Sequence, residues 1–307
     1  MNVSYSEPQD YLPLIERSWT ERNGIPHWLV GIVWLVIAFI LFQAIATVVL
    51  VGLVMATEDF SLEMLMDIAF GNRIDLFLWA NSSGQLVGLL LATWIVAHIS
   101  TKGSVASFMR FNVHHHTLKV IGLTVLLMIA VQPLIVLFSW INQFYPFSES
   151  YLAYEEQALE MIKQMLTVDG IVFMALLHVG LVPSVCEEVL FRGYLQRLFE
   201  KSWGPAAAII VTGLLFGFFH IRLTQLLPLA LIGILLGWLV WRSNSIYPGM
   251  VAHLVNNGGT VVVSALYPAY VFDQYDSTEL PEPWLLLVSI GSTAILIYMI
   301  HQLTRKE

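Results

Sequence analysis

Runs of roughly 20 mostly apolar residues recur along the chain, and that is the length an α-helix needs to cross a bilayer's hydrocarbon core. They fall near 28–56, 76–99, 118–140, 170–190, 205–219, 225–241, 246–266 and 284–301. Lipid offers no hydrogen bonds to the backbone, so segments of this kind satisfy their own N–H and C=O groups as helices. The expected fold is all-α, a polytopic integral membrane protein of about eight transmembrane helices. Composition agrees: 57% of the residues are hydrophobic and 12% are charged, where soluble domains carry about 25% charged residues. That balance excludes a disordered chain, a nucleic-acid binder and an ordinary soluble enzyme. A single cysteine, Cys186, excludes a disulfide scaffold. An acidic stretch (Glu7, Asp10, Glu16, Glu21) precedes the first run, which is too long for a signal-peptide core and reads as a permanent helix.

Lys and Arg accumulate in cytoplasmic loops. With the N-terminus inside, the inner segments hold Arg17, Arg22, Lys102, Arg110, Lys119, Arg192, Arg197, Lys201, Arg242, Arg305 and Lys306, against Arg73, Lys163 and Arg222 outside. Both termini are therefore expected in the cytoplasm. The acidic residues of the outer loops (Glu58, Asp59, Glu63 and Asp67; Glu149, Glu155, Glu156 and Glu160; Asp273, Asp276, Glu279 and Glu282) read as solvated faces. The longest outer loop, 142–169, is expected to carry a helix near 154–166 that caps the bundle. Three G-x-x-x-G pairs, Gly84–Gly88, Gly213–Gly217 and Gly233–Gly237, would let helix backbones approach closely.

Ionisable side chains inside a membrane cost about 2.5–3.5 kcal/mol each on insertion scales, so they are functional candidates. Three groups of polar residues stand in the apolar runs of the second half. Glu187 and Glu188 are adjacent and point about 100° apart on a helix. Arg192 follows Glu188 at i+4, the spacing of an intrahelical ion pair. That leaves Glu187 free for another partner. Phe216 and His220 form the second group, and His253 with Asn257, on one helical face at i and i+4, the third. A carboxylate, two imidazoles and a carboxamide are the inventory for activating water against a carbonyl and for donating to an oxyanion. The other candidates read as packing or solvated groups. Cys186 points about 100° away from Glu187, and His178 lies nine residues before Glu187 with Pro183 between them. His114, His115 and His116 are expected to be solvated in a cytoplasmic loop.

At these residues the chain resembles the CPBP family of intramembrane proteases, the type II CAAX prenyl endopeptidases and bacteriocin-processing enzymes also called the ABI family. The family pattern E-E-x-x-x-R, F-x-x-x-H and H-x-x-x-N/D is matched in order by Glu187, Glu188 and Arg192, by Phe216 and His220, and by His253 and Asn257. The resemblance implies an intramembrane endopeptidase. Glu187 and His220 would activate water, His253 and Asn257 would stabilise the oxyanion, and Glu188 and Arg192 would support the site's electrostatics. Its substrate would be membrane-associated, of CAAX-like prenylated or bacteriocin-leader type, with membrane lipid as the other partner and no nucleic acid. No cofactor is expected; were Zn²⁺ bound, Glu187, His220 and His253 would be its ligands. The implied organisation is a cytoplasmic segment 1–27, a transmembrane bundle 28–301 with the protease core at about 170–266, and a cytoplasmic tail 302–307, in the plasma or inner membrane. Two other readings of the same residues are a proton- or cation-coupled transporter and an inactive immunity or scaffold protein of the same fold. On the span boundaries above, His220 lies near the outer end of its helix and His253 about two turns from the inner surface. Residues of one site must share a depth.

Overall fold

The computed structural model describes residues 18–57, 61, 73–167, 172–269 and 280–305. Among them every regular element is helical. We number the principal helices α1 (His27–Thr57), α2 (Ile74–Ser100), α3 (Thr117–Ala130), α4 (Gln132–Asn142), α5 (Glu149–Thr167), α6 (Val172–Phe219), α7 (Leu226–Ser243), α8 (Tyr247–Leu266) and α9 (Pro283–Leu303). Five of these helices are long and apolar enough to cross a membrane, or six if α3 and α4, bent by 45° at their junction, form one span. Pro133 sits in the first turn of α4, where its missing N–H cannot continue the hydrogen bonding of α3. The large apolar side chains left exposed, such as Val36, Ile40 and Val48 on α1 and Leu287, Val288 and Ile295 on α9, form the surface an integral membrane protein offers to lipid.

α6 departs from the sequence expectation. Its 48 residues contain the region 191–204 that was expected to be an inner loop between two spans. The helix runs on past Leu190 and breaks only at Gly204, where φ is 77° and ψ 170°, a conformation open essentially to glycine. Pro205 then starts a second leg, which ends at Phe219. The first leg continues because its polar side chains find partners inside the protein. Arg192 pairs with Glu188, the Gln196 amide donates to the Gly237 carbonyl, and Glu200 accepts both terminal nitrogens of Arg110. Arg192, counted above among the cytoplasmic cations, is in fact fully buried.

The legs of α6 organise the remaining helices. The second leg packs along α7, where a Cβ on Gly233 would stand 2.8 Å from the Gly213 Cα. On the other side α1 and α2 close on each other through Gly84 and Gly88, and a Cβ on Gly88 would meet the Phe42 nitrogen at 2.7 Å. Cys186, Phe191, Tyr194, Phe199 and Phe216 of α6 share one apolar core with Trp34, Phe42 and Leu89 of α1 and α2. α3, α7, α8 and α9 share a second. The start of α8 is fixed from the segment after α2. The Ile246 N–H donates to the Arg110 carbonyl, and Ser245 to the Asn112 carbonyl. Of the three histidines of that segment His115 is exposed as expected, whereas His114 and His116 are half-buried with stacked rings, and His116 Nε2 is buried.

The outer helix begins at Glu149, five residues before the expected 154. Ile162 and Leu166 of α5 lie against Val172, Ala175 and Val261, and Met161 against Ile74 and Leu78. α5 thus covers one end of α2, α6 and α8, as a cap should. Glu155 is no solvated residue: it is 5% exposed and paired with Arg222 at 3.0 Å. The acidic residues at 58, 59, 63, 67, 273, 276 and 279 lie outside the described residues, as do 1–17.

Candidate active site

The first leg of α6 contains two π-helical stretches, Leu176–Leu181 and Val189–Leu195, and between them one regular piece, Val182–Glu188. Wide π turns inside α-helices occur frequently at functional sites, and here they flank the carboxylate pair. Glu188 and Arg192 are both wholly buried, with Nη1 2.6 Å from Oε1. The other terminal nitrogen of Arg192 donates to the Gly233 carbonyl at 2.9 Å, and the guanidinium lies 4.6 Å from the Phe216 ring centre. Gly249 makes room for the carboxylate, since a Cβ there would stand 2.9 Å from Glu188 Oε2 and 2.5 Å from a Val240 methyl.

Glu188 also reaches the third polar group. His253 Nδ1 is 3.1 Å from Glu188 Oε1. A carboxylate can only accept, so that nitrogen carries the proton. His253 Nε2 then faces the Asn257 amide at 3.2 Å, and the same amide nitrogen donates to the Val179 carbonyl at 3.2 Å. Asn256 donates to Asn257 Oδ1 at 3.1 Å, which fixes the carboxamide from behind.

His220 closes the second leg of α6. Its Nδ1 donates to the Phe216 carbonyl at 2.8 Å, so in the neutral ring Nε2 is a free lone pair. That explains the spacing of Phe216 and His220: residue i supplies the carbonyl that sets the tautomer of residue i+4. The Phe216 ring also separates the imidazoles, edge-on to His220 at 4.8 Å and to His253 at 5.6 Å.

Glu187 stands between the two imidazoles. Its Oε2 is 4.0 Å from His220 Nε2 and 3.9 Å from His253 Nε2, is buried, and makes no hydrogen bond to another described residue. Glu187, His220, His253 and Asn257 therefore meet at one point, although they come from three helical segments. The difficulty over depth disappears because His220, at the very end of its leg, and His253, in the second turn of α8, lie on either side of Glu187.

The remaining candidates fall elsewhere. Cys186 is fully buried in the apolar core. His178 faces α2, with Nδ1 2.6 Å from Ser82 Oγ and its ring 4.5 Å from that of Trp79. Sequence reading did not single out Asn256 or Gly249 and took Gly233 for helix packing alone, yet all three touch the site's residues. Only the neighbouring asparagines at 256 and 257 gave any signal.

Tetrahedral zinc bonds of about 2.0–2.1 Å put neighbouring ligand atoms about 3.4 Å apart. Glu187 Oε2 is further than that from both imidazoles, and His253 Nε2 is already engaged by Asn257. Among the described residues no three His, Cys, Asp or Glu side chains are grouped to hold an ion. As placed, the residues do not fit a three-ligand zinc site.

A buried carboxylate between two imidazoles, with a carboxamide beside them, can activate a water for attack on a carbonyl. Residues 169–259 match the family model for the type II CAAX prenyl endopeptidase, Rce1-like. The matched stretch carries Glu187, His220, His253 and Asn257 and supports membership of the CPBP family of membrane proteases. No curated protein sequence and no solved structure matches the chain.

Proposed function

We propose that the chain is a glutamate-dependent intramembrane endopeptidase acting on a membrane-associated peptide, of CAAX-like prenylated or bacteriocin-leader type. The observation that carries this reading is Glu187 Oε2, buried, free of hydrogen bonds to other described residues, and within 4.0 Å of both His220 and His253. A water held there would donate one hydrogen to Glu187 and the other to the His220 Nε2 lone pair. Its oxygen would then be aimed at a substrate carbonyl. As the oxygen adds to the carbonyl carbon, Glu187 takes the proton. Collapse of the tetrahedral intermediate breaks the C–N bond, and the same proton passes to the leaving amine.

His253 and Asn257 form the oxyanion side in this scheme. The Asn257 amide would turn from the Val179 carbonyl to the oxyanion as charge develops, and Glu188 steadies a protonated His253. Arg192 holds the Glu188 carboxylate in place through the buried ion pair. The metal-free mechanism is supported by the wide spacing of the three would-be ligands. We further propose eight crossings: α1, α2, the α3–α4 pair, the two legs of α6, α7, α8 and α9. Both termini then lie in the cytoplasm, and residues 170–266 form the protease core within a bundle spanning 28–301.

The test is proteolysis of a lipidated-peptide library by the purified chain, with Glu187→Ala as the blank. Glu187→Gln keeps the size but cannot take a proton, so turnover should fall to the blank. Asn257→Ala removes one donor and should cost about 10²–10³ in kcat with KM little changed. If Glu187→Gln retained as much activity as Asn257→Ala, the base would lie elsewhere and the scheme would fail.

A further inference from the structure

The residue after His220 is Ile221, with φ at 55°. A β-branched residue in the left-handed region is an outlier, and such backbone persists only where its surroundings over-determine it. The side chain is half exposed, at 52%, so its own packing does not hold it. The hold comes from α5 and the end of α4. Glu155 accepts Arg222 Nε at 3.0 Å and Thr224 Oγ1 at 2.6 Å. Tyr151 donates its hydroxyl to Glu155 at 2.7 Å and accepts the Leu223 N–H at 2.7 Å. Burial and the Glu155 hydrogen bond push the Tyr151 phenol up, so it remains a donor at neutral pH. From the other side Asn142 donates to the Leu223 carbonyl at 2.8 Å and accepts the Leu227 N–H at 2.8 Å.

We infer that Glu155 is a positioning residue for His220: by gripping Arg222 and Thr224 it holds Ile221 in the left-handed conformation, and so holds the imidazole Nε2 against Glu187. The inference rests on the hydrolytic role proposed for His220. It gives α5 a second task beyond covering the bundle, because the cap carries the clamp that sets half of the water-activating pair. A carboxylate suits the clamp because it accepts from Arg222, Thr224 and Tyr151 at once without offering a competing hydrogen.

The test is a mutant cycle in the purified full-length chain. Glu155→Gln keeps the volume and weakens the grip. It should lower kcat by about 10- to 100-fold, the scale at which small misplacements of reacting groups act, and leave KM nearly unchanged. Asparagine visits the left-handed region far more readily than isoleucine, so adding Ile221→Asn to Glu155→Gln should restore most of the lost kcat. If Glu155 only anchors α5, Glu155→Gln lowers the melting temperature, kcat stays put and Ile221→Asn rescues nothing; that result overturns the inference. Should Glu155→Gln fail to accumulate, Thr224→Val removes a single bond and runs the same cycle. Amide exchange over residues 218–227 needs no substrate. It should speed up in Glu155→Gln and slow again on adding Ile221→Asn, and unchanged exchange would also overturn the inference. A chain inert towards every peptide but showing the exchange pattern would remove the protease reading and leave the clamp standing.

Discussion

Arg192→Ala is the substitution whose cost follows most directly from the structure. The guanidinium and the Glu188 carboxylate have no exposed surface, and their atoms are 2.6 Å apart. Removing one partner of a buried pair costs about 3–5 kcal/mol, because the other charge is stranded in low dielectric. Loss of the contact with the Phe216 face, 4.6 Å away, adds up to about 2 kcal/mol for a desolvated cation–π pair. The sum is comparable with the total stability of many folded domains, about 5–15 kcal/mol. Arg192→Ala should therefore accumulate poorly and unfold at markedly lower denaturant when purified in detergent. The decisive comparison adds Glu188→Gln. That change removes the stranded charge and keeps an oxygen to accept from His253 Nδ1, so the double variant should recover about 1–3 kcal/mol over Arg192→Ala alone, the usual range for coupled neighbours. An Arg192→Ala protein within about 1 kcal/mol of wild type, or a double variant no more stable than the single, would refute the stranded-charge account.

Two further outcomes follow from the same geometry. Gly249→Ala would place a methyl 2.9 Å from Glu188 Oε2 and 2.5 Å from the Val240 side chain. Overpacking on that scale costs about 1–3 kcal/mol, so denaturant unfolding should shift and activity should fall through the displaced Glu188–His253 bond, whereas Gly259→Ala, where a Cβ meets nothing within 4 Å, should change neither. If Glu187 acts without metal, exhaustive chelation should leave hydrolysis intact and elemental analysis should find no stoichiometric ion. Loss of activity with rescue by Zn²⁺ would decide for the metalloenzyme.

The membrane class was legible in the sequence because it depends on a local quantity. A run of apolar residues long enough to span hydrocarbon must be helical whatever it packs against. The site residues were legible for a related reason: charges and imidazoles in such runs are costly, and the i, i+4 spacings of Glu188 with Arg192 and His253 with Asn257 survive into the contacts observed. What failed was the inference from polarity to loop. Arg192, Gln196 and Glu200 were expected in a cytoplasmic connection, yet all three face distant parts of the chain, and their partners Gly233, Gly237 and Arg110 cannot be read from residues 191–204. Glu155 was misjudged in the same way, as a solvated acid, because Arg222 lies 67 residues further on. A polar residue in a membrane protein is cheap at a surface and cheap when paired inside, and local composition does not separate these two cases. Only Gly204 beside Pro205 marked the true break in α6, since a left-handed glycine followed by a proline ends a helix however its neighbours are partnered. For the same reason the depth of the site could not be taken from hydropathy: it is set by where α6 turns, and hence by one glycine rather than by the polar residues around it.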